Sequence, residues 1–203
     1  SELVAIYGNF VNRAMVLTHK YFGGEVPERS EMSGYDLEVV DLLKSYPEKI
    51  SASIEKFRFR EALGYVMDLA RLGNKYLADT EPWKTIKEDK DRTATILNLA
   101  LNLTANLAIV SAPFLPFTVK KLVEMLQTDT LDWRKAGGID LLKSGRRLGE
   151  PVPLFEKIED EVIAFQVNKL MKTNTENEKV PATILPVKET ISYEDFAKLD
   201  IRV

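Results

Sequence analysis

The sequence predicts an all-α fold, an antiparallel helix bundle, and three observations carry that expectation. Apolar residues recur at alternating steps of three and four in one segment after another, the period of a helix with one buried face. No stretch before residue 180 sustains the two-residue alternation of a half-buried strand. Glycines and prolines stand between the periodic segments rather than within most of them.

The first helix places Leu3, Ile6, Tyr7, Phe10, Ala14, Leu17 and Tyr21 on one face and Asn9, Asn12, Arg13, Val16 and Lys20 on the other. Gly23 and Gly24 stop it. Ser33 is a candidate cap for a second helix over 36–56, with a possible break at Pro47. Phe59, Leu63, Val66, Ala70, Gly73 and Leu77 form the seam of a third helix, which ends before Pro82. Asp91 to Ser111 reads as the central core helix. Its most apolar run is too short and too polar for a membrane span, which needs about 20 apolar residues. Asn98, Asn102 and Asn106 share one face of it, as a polar stripe or as interhelical hydrogen-bonding groups. Pro116 suits the first position of a fifth helix through Leu126, residues 128–156 are irregular, and Glu159 to Lys172 forms a last helix. Thr173 to Lys179 reads as a polar linker, and Ile191 to Val203 as a strand beginning a further module, so the chain is expected to be a fragment.

Composition narrows the chemistry. The 203 residues are 45% apolar and 29% charged with a net charge of −3, which disfavours indiscriminate binding to nucleic acid and requires a local basic face instead. With no cysteine and one histidine, His19, neither disulfides nor Cys/His zinc sites are available. His19 has no serine-centred nucleophile motif beside it and reads as a surface residue. Gly145 to Gly149 lacks the ending of a phosphate-binding loop. Trp133 reads as a loop clamped to the bundle. Lys56, Arg58 and Arg60 form either a basic edge or a solvated rim balanced by Glu55 and Glu61. The proline–tryptophan pair Pro82–Trp83, set among charges at a helix end, is either a plug on the core or a platform on which something stacks.

Three stretches bear on that choice: Tyr7-Gly8-Asn9-Phe10-Val11-Asn12-Arg13 with Lys20 beyond it, Asn74-Lys75-Tyr76-Leu77 followed by Pro82-Trp83, and Ala112-Pro113-Phe114-Leu115-Pro116. Their order resembles the helical anticodon-binding domain of class I aminoacyl-tRNA synthetases, with the methionyl-tRNA synthetase family the nearest match. Tyr193 to Val203 resembles the opening of the OB-fold tRNA-binding module that many members append. The resemblance implies an anticodon-binding domain over 1–172, a linker over 173–190 and a truncated module over 191–203. It implies a cytoplasmic partner of tRNA, with the anticodon loop of methionine tRNA as ligand, no membrane, and a homodimer formed through the missing C-terminal module. It also implies that aminoacylation lies elsewhere: ATP, with zinc as a further candidate, belongs to the parent enzyme, and this fragment carries no cofactor and no catalytic residue.

For the site, the resemblance assigns base stacking to Trp83 with Pro82 fixing the backbone before it, and base-edge hydrogen bonding to Asn12. Lys20 stands where Arg is common, which favours a phosphate contact because the planar fork is absent. Val16 stands where some relatives carry Asn and cannot make that hydrogen bond. Arg13 belongs to the common Asn-Arg pair, as a site residue or as an ion-pair partner within the bundle. Two alternatives stay open: a helical protein-interaction module with Trp83 as its hot spot, and the corresponding domain of a sister synthetase.

Overall fold

A computed structural model describes residues 2–128, 132–155, 158–178, 190, 192–198. The chain divides into two compact units, Ser1–Glu156 and Lys157–Val203. In the first, a π-helical segment, Leu3–Gly8, runs directly into α1, Asn9–Phe22. It is followed by α2 (Gly34–Glu55), α3 (Phe59–Thr80), the single turn α4 (Pro82–Thr85), α5 (Lys90–Ser111) and α6 (Pro116–Leu126). The second unit holds α7 (Asp160–Glu178) and the short α8 (Tyr193–Ala197). Among the described residues there is no strand, only one isolated antiparallel bridge between Glu25 and Arg147.

α5 is the axis of the bundle. It packs against α1, α2, α3, α4 and α6, and every residue from Thr93 to Ser111 is buried. It is long and apolar enough to cross a membrane by length and composition, yet its apolar window lies wholly inside the protein. Burial on all sides leaves its amides no water, so each must find a protein partner. Asn98 donates to the Pro27 carbonyl (2.8 Å) and accepts from Arg29 (3.2 Å). Asn102 donates to the Asn98 carbonyl (3.0 Å) and accepts from the Leu142 N–H (3.1 Å). Asn106 donates to the Gly138 carbonyl (2.7 Å) and accepts from the Gly137 N–H (2.6 Å). The expected stripe is therefore a ladder that fastens two irregular segments, around 27–29 and 137–142, to the core helix.

α2 and α3 form an antiparallel hairpin. Ser33 and Asp36 make a reciprocal capping box at the start of α2. Asp36 is fully buried and is also held by Arg92 of α5 and by the Tyr76 hydroxyl (2.7 Å). Burial pushes its carboxyl up, but the hydrogen bonds from Arg92, Tyr76 and the Ser33 backbone outweigh this and hold it below the ordinary carboxylate range. α3 meets α1 at Gly73, where a Cβ would lie 2.4 Å from the Phe10 ring. α1 stops at Gly23, as expected, and the glycine there takes the left-handed conformation. The segment after it is bound to 145–148 by the bonds Val26 N–H to Arg146 O (2.8 Å) and Leu148 N–H to Gly24 O (2.8 Å).

Several expectations need correction. Pro47 does not break α2, which continues through it with one hydrogen-bond donor fewer. Phe59 is not in the seam: it is 53% exposed, because a side chain in a first helical turn leans toward the N-terminus, here past the end of α2. His19 is half-buried, its Nδ1 3.1 Å from the Met15 carbonyl. α7 extends through Glu178, so most of the expected linker start is helical. No Gly or Pro interrupts 173–178, and helix propagation adds one hydrogen bond per residue. In the expected opening strand, Ser192 caps α8 instead, and residues 199–203 lie outside the described residues. Trp133 opens a 3-10 turn and is partly buried against the core, as expected of a clamped loop.

Two outcomes follow. Asn106→Ala orphans the Gly138 carbonyl and the Gly137 N–H, at about 1–3 kcal/mol each, and should lower the unfolding free energy by ~2–6 kcal/mol in denaturant titration. Asp36 binds its proton at lower pH in the fold than in the unfolded chain, where it titrates near 4 (about 3.9). The unfolded state therefore takes up the proton first as pH falls. The contribution is fully present above the unfolded pKa and is lost as pH drops through the folded one. Unfolding free energies measured from pH 6 downward should show this loss, and Asp36→Asn should flatten it while lowering stability at neutral pH.

Candidate functional site

The end of α3 and the polar face of α1 build the site. Glu81 closes α3 in the left-handed conformation (φ 42°), with its N–H on the Leu77 carbonyl at 3.2 Å. Pro82 follows as the first residue of α4, buried and with φ fixed by its ring. The Thr85 hydroxyl donates back to the Thr80 carbonyl (2.9 Å), and Lys84 pairs with Glu81 at 2.8 Å. These contacts fix the backbone on which Trp83 stands. Its ring is half-buried, between the plug and the free platform the sequence left open.

Arg13 decides what lies on that ring. Its guanidinium carbon is 5.1 Å from the Trp83 ring centroid, within the range of a cation–π contact. Among the described residues Arg13 makes no ion pair, and the group it lies on is the Trp83 ring. Lys20 lies seven residues on. At 100° per residue it returns to the stripe of Arg13, about 10 Å further along the axis. Lys20 is exposed, with its ammonium 5.3 Å from the Tyr21 ring centroid. Asn12 is exposed on α1 but does not face the indole with Arg13. It lines a cleft of about 460 Å³ with Val4, Gly8 and the 152–155 segment. The structure thus joins Trp83, Pro82 and Arg13 directly, places Lys20 on the same stripe, and sets Asn12 to one side.

Two residues outside the expected set hold the site together. Asn74 donates to the Ile6 carbonyl (2.8 Å) and accepts from Asn9 (3.0 Å), tying α3 to the start of α1 one turn from Arg13. The signal was in the sequence: Asn74 opens the Asn-Lys-Tyr run, and Asn9 lies on the polar face. The nearby cations Lys75 and Lys84 are paired with Asp79 and Glu81, and Lys75 and Tyr35 hold the Asp79 carboxyl below the usual carboxylate range. Arg13 and Lys20 have no such carboxylate partner among the described residues, which leaves them as a local positive stripe on an acidic chain. The donors for zinc do not fit: there is no cysteine, the single histidine faces a carbonyl, and no three acidic or histidine side chains cluster among the described residues.

The candidate site is thus a half-buried indole with a guanidinium over it, at the end of α3 on a helical bundle. The fold matches solved methionyl-tRNA synthetases of Mycobacterium tuberculosis. One, in complex with methionyl-adenylate, has a TM-score of 0.70 at 20% identity over 77% of this chain and 32% of that chain. The apo form gives 0.68 at 20% identity over 78% and 32%. A family profile described as the anticodon binding domain of methionyl tRNA ligase matches residues 26–174, and the chain belongs to that family. Methionine–tRNA ligases of Cytophaga hutchinsonii and Bacteroides fragilis are 57% and 51% identical over all of this chain. The chain spans 30% of the length of these relatives. The match sets aside the sister-synthetase alternative.

Arg13→Ala should uncover the indole without unfolding the bundle. Tryptophan emission should shift to longer wavelength and acrylamide quenching should rise, while the helical circular dichroism stays unchanged.

Proposed function

We propose that this chain reads the anticodon loop of methionine tRNA for a methionine–tRNA ligase, using Trp83, Pro82, Arg13, Lys20 and Asn12. The observation that carries the reading is the Arg13–Trp83 contact at 5.1 Å, on a stripe continued by Lys20. An unstacked base offers a flat π-face, and stacking on an aromatic ring contributes about 1–3 kcal/mol per base. A guanidinium plane already on the ring is a group that a base can replace or join. Pro82 and the Glu81 turn hold the indole before binding, so little freedom is lost when a base arrives. Lys20 supplies a phosphate contact two turns along. Asn12, carrying both donor and acceptor, reads a base edge from the adjoining cleft.

The ATP-dependent ligation itself belongs to the rest of such an enzyme, in the cytoplasm where tRNA is charged. The donor set of this chain fits neither zinc nor a nucleotide motif, so no chemical step is assigned to it. The domain scheme of 1–172, 173–190 and 191–203, with pairing of two copies through an appended OB-fold module, remains part of the proposal. The family match over residues 26–174 falls almost wholly within the first of those three segments, and it is the support for that segment alone.

In the full-length ligase, Trp83→Ala should weaken methionine tRNA binding by ~1–3 kcal/mol, about five- to 150-fold. Discrimination against altered anticodons should fall with it, and the melting temperature should change little. A variant that melts early yet still distinguishes anticodons would make Trp83 a core plug and remove the site.

A further inference from the structure

The turn between α2 and α3 carries Lys56-Phe57-Arg58-Phe59-Arg60, cations interleaved with aromatics, and all five residues are exposed. Phe57 is 81% exposed and Phe59 53%, their rings edge-to-face at 6.2 Å. The backbone makes this arrangement unusual. Phe57 has φ 57°, with its N–H on the Ile54 carbonyl (2.9 Å) and the Arg58 N–H on the Ser53 carbonyl (2.8 Å). That is a helix end at which glycine is the preferred residue, and a side chain there costs about 1–2 kcal/mol. Among the described residues two other non-glycine residues have positive φ, and both use their side chains: Glu81 pairs with Lys84, and the Gln127 amide donates to the Glu124 carbonyl. Phe57 gains only an exposed ring contact. Neither backbone economy nor core packing accounts for it.

We propose that this turn is a second RNA contact, with Phe57 seating an unstacked base or ribose and Lys56, Arg58 and Arg60 meeting backbone phosphates. The inference rests on the anticodon reading. α3 has 22 residues and so is about 33 Å long, which puts the turn and Trp83 at its opposite ends. An RNA held by a loop at Trp83 can therefore lie along the bundle and reach the turn. The charge is complementary: Arg58 meets Glu61 only at 3.7 Å with its side chain 62% exposed, so the cations are available to a polyanion. A purely apolar partner would leave them unpaired on association, which disfavours a protein hot spot here.

The test uses the full-length ligase, a methionine tRNA transcript, and three variants: Phe57→Gly, the combined Lys56→Ala/Arg58→Ala/Arg60→Ala, and Trp83→Ala. Phe57→Gly should raise the melting temperature, because glycine relieves the positive φ, yet weaken tRNA binding about fivefold or more. The triple variant should make the slope of log affinity against log salt shallower by about 2. If Trp83→Ala weakens binding while both turn variants bind as the parent does, the second contact is overturned and the anticodon reading stands. If the turn variants weaken binding and Trp83→Ala does not, the turn is an RNA contact and the assignment of Trp83 fails. Unchanged tRNA affinity with lost self-association in sedimentation would show a protein surface and also overturn the proposal.

Discussion

Complete burial of α5 is the constraint on which the rest of the bundle depends. A helix with water on one side can leave its polar side chains to the solvent, but α5 has no such side from Thr93 to Ser111. Asn98, Asn102 and Asn106 must therefore be satisfied by protein, and an amide has a fixed set of donors and acceptors to match. Besides bonds along α5 itself and one from the Arg29 side chain, the partners they find are backbone groups of irregular segments. The same contacts that make the core tolerable thus give the loops their conformation. The short reach of Asn fixes how closely those loops approach.

The ordering extends to the candidate site. α1 is held over α5 by the buried face of Phe10, Ala14 and Met15, and Tyr7 reaches Ser111 at 2.9 Å. With that face committed, Arg13 and Lys20 point outward along one stripe. α3 is pressed onto α1 at Gly73, where only a residue without a side chain leaves room for Phe10. That close crossing delivers the end of α3, and with it Trp83, to the side of α1 where Arg13 stands. The left-handed Glu81 turns the chain between α3 and Pro82, a local strain of the kind found where a fold fixes a functional group.

Electrostatics complete the selection. The chain is acidic overall at −3, and many of its surface cations are paired with carboxylates nearby in sequence. Such pairs are screened and contribute little to stability, about 0–1 kcal/mol, but they neutralise the surface locally. The Arg13–Lys20 stripe and the turn at 56–60 each set an aromatic ring beside their cations, and of these cations Arg58 alone has a carboxylate within 4 Å among the described residues, Glu61 at 3.7 Å. A chain of this net charge offers polyanions local cationic points rather than a general attraction.

The sequence by itself determined the helical class, the boundaries at Gly23, Ser33, Pro82 and Pro116, and the polar stripe of α1. Those features follow from local rules: the 3.6-residue period, caps, and the geometry of glycine and proline. It also marked Trp83, Pro82 and Arg13, because their neighbouring residues form a recognisable order. It did not disclose that Arg13 lies on Trp83 rather than in an ion pair, since the two residues are 70 positions apart and meet only through the packing of α1 on α3. Nor did it show that Asn12 lines a cleft with the 152–155 segment, or that the three asparagines of α5 reach loops rather than neighbouring helices. Phe59 was misplaced for the same reason: periodicity assigns a face, but only the neighbouring helix decides how far along that face burial extends. Local propensity therefore fixed the elements, and the tertiary structure decided which side chains meet, because contact depends on helix crossing and length rather than on sequence spacing.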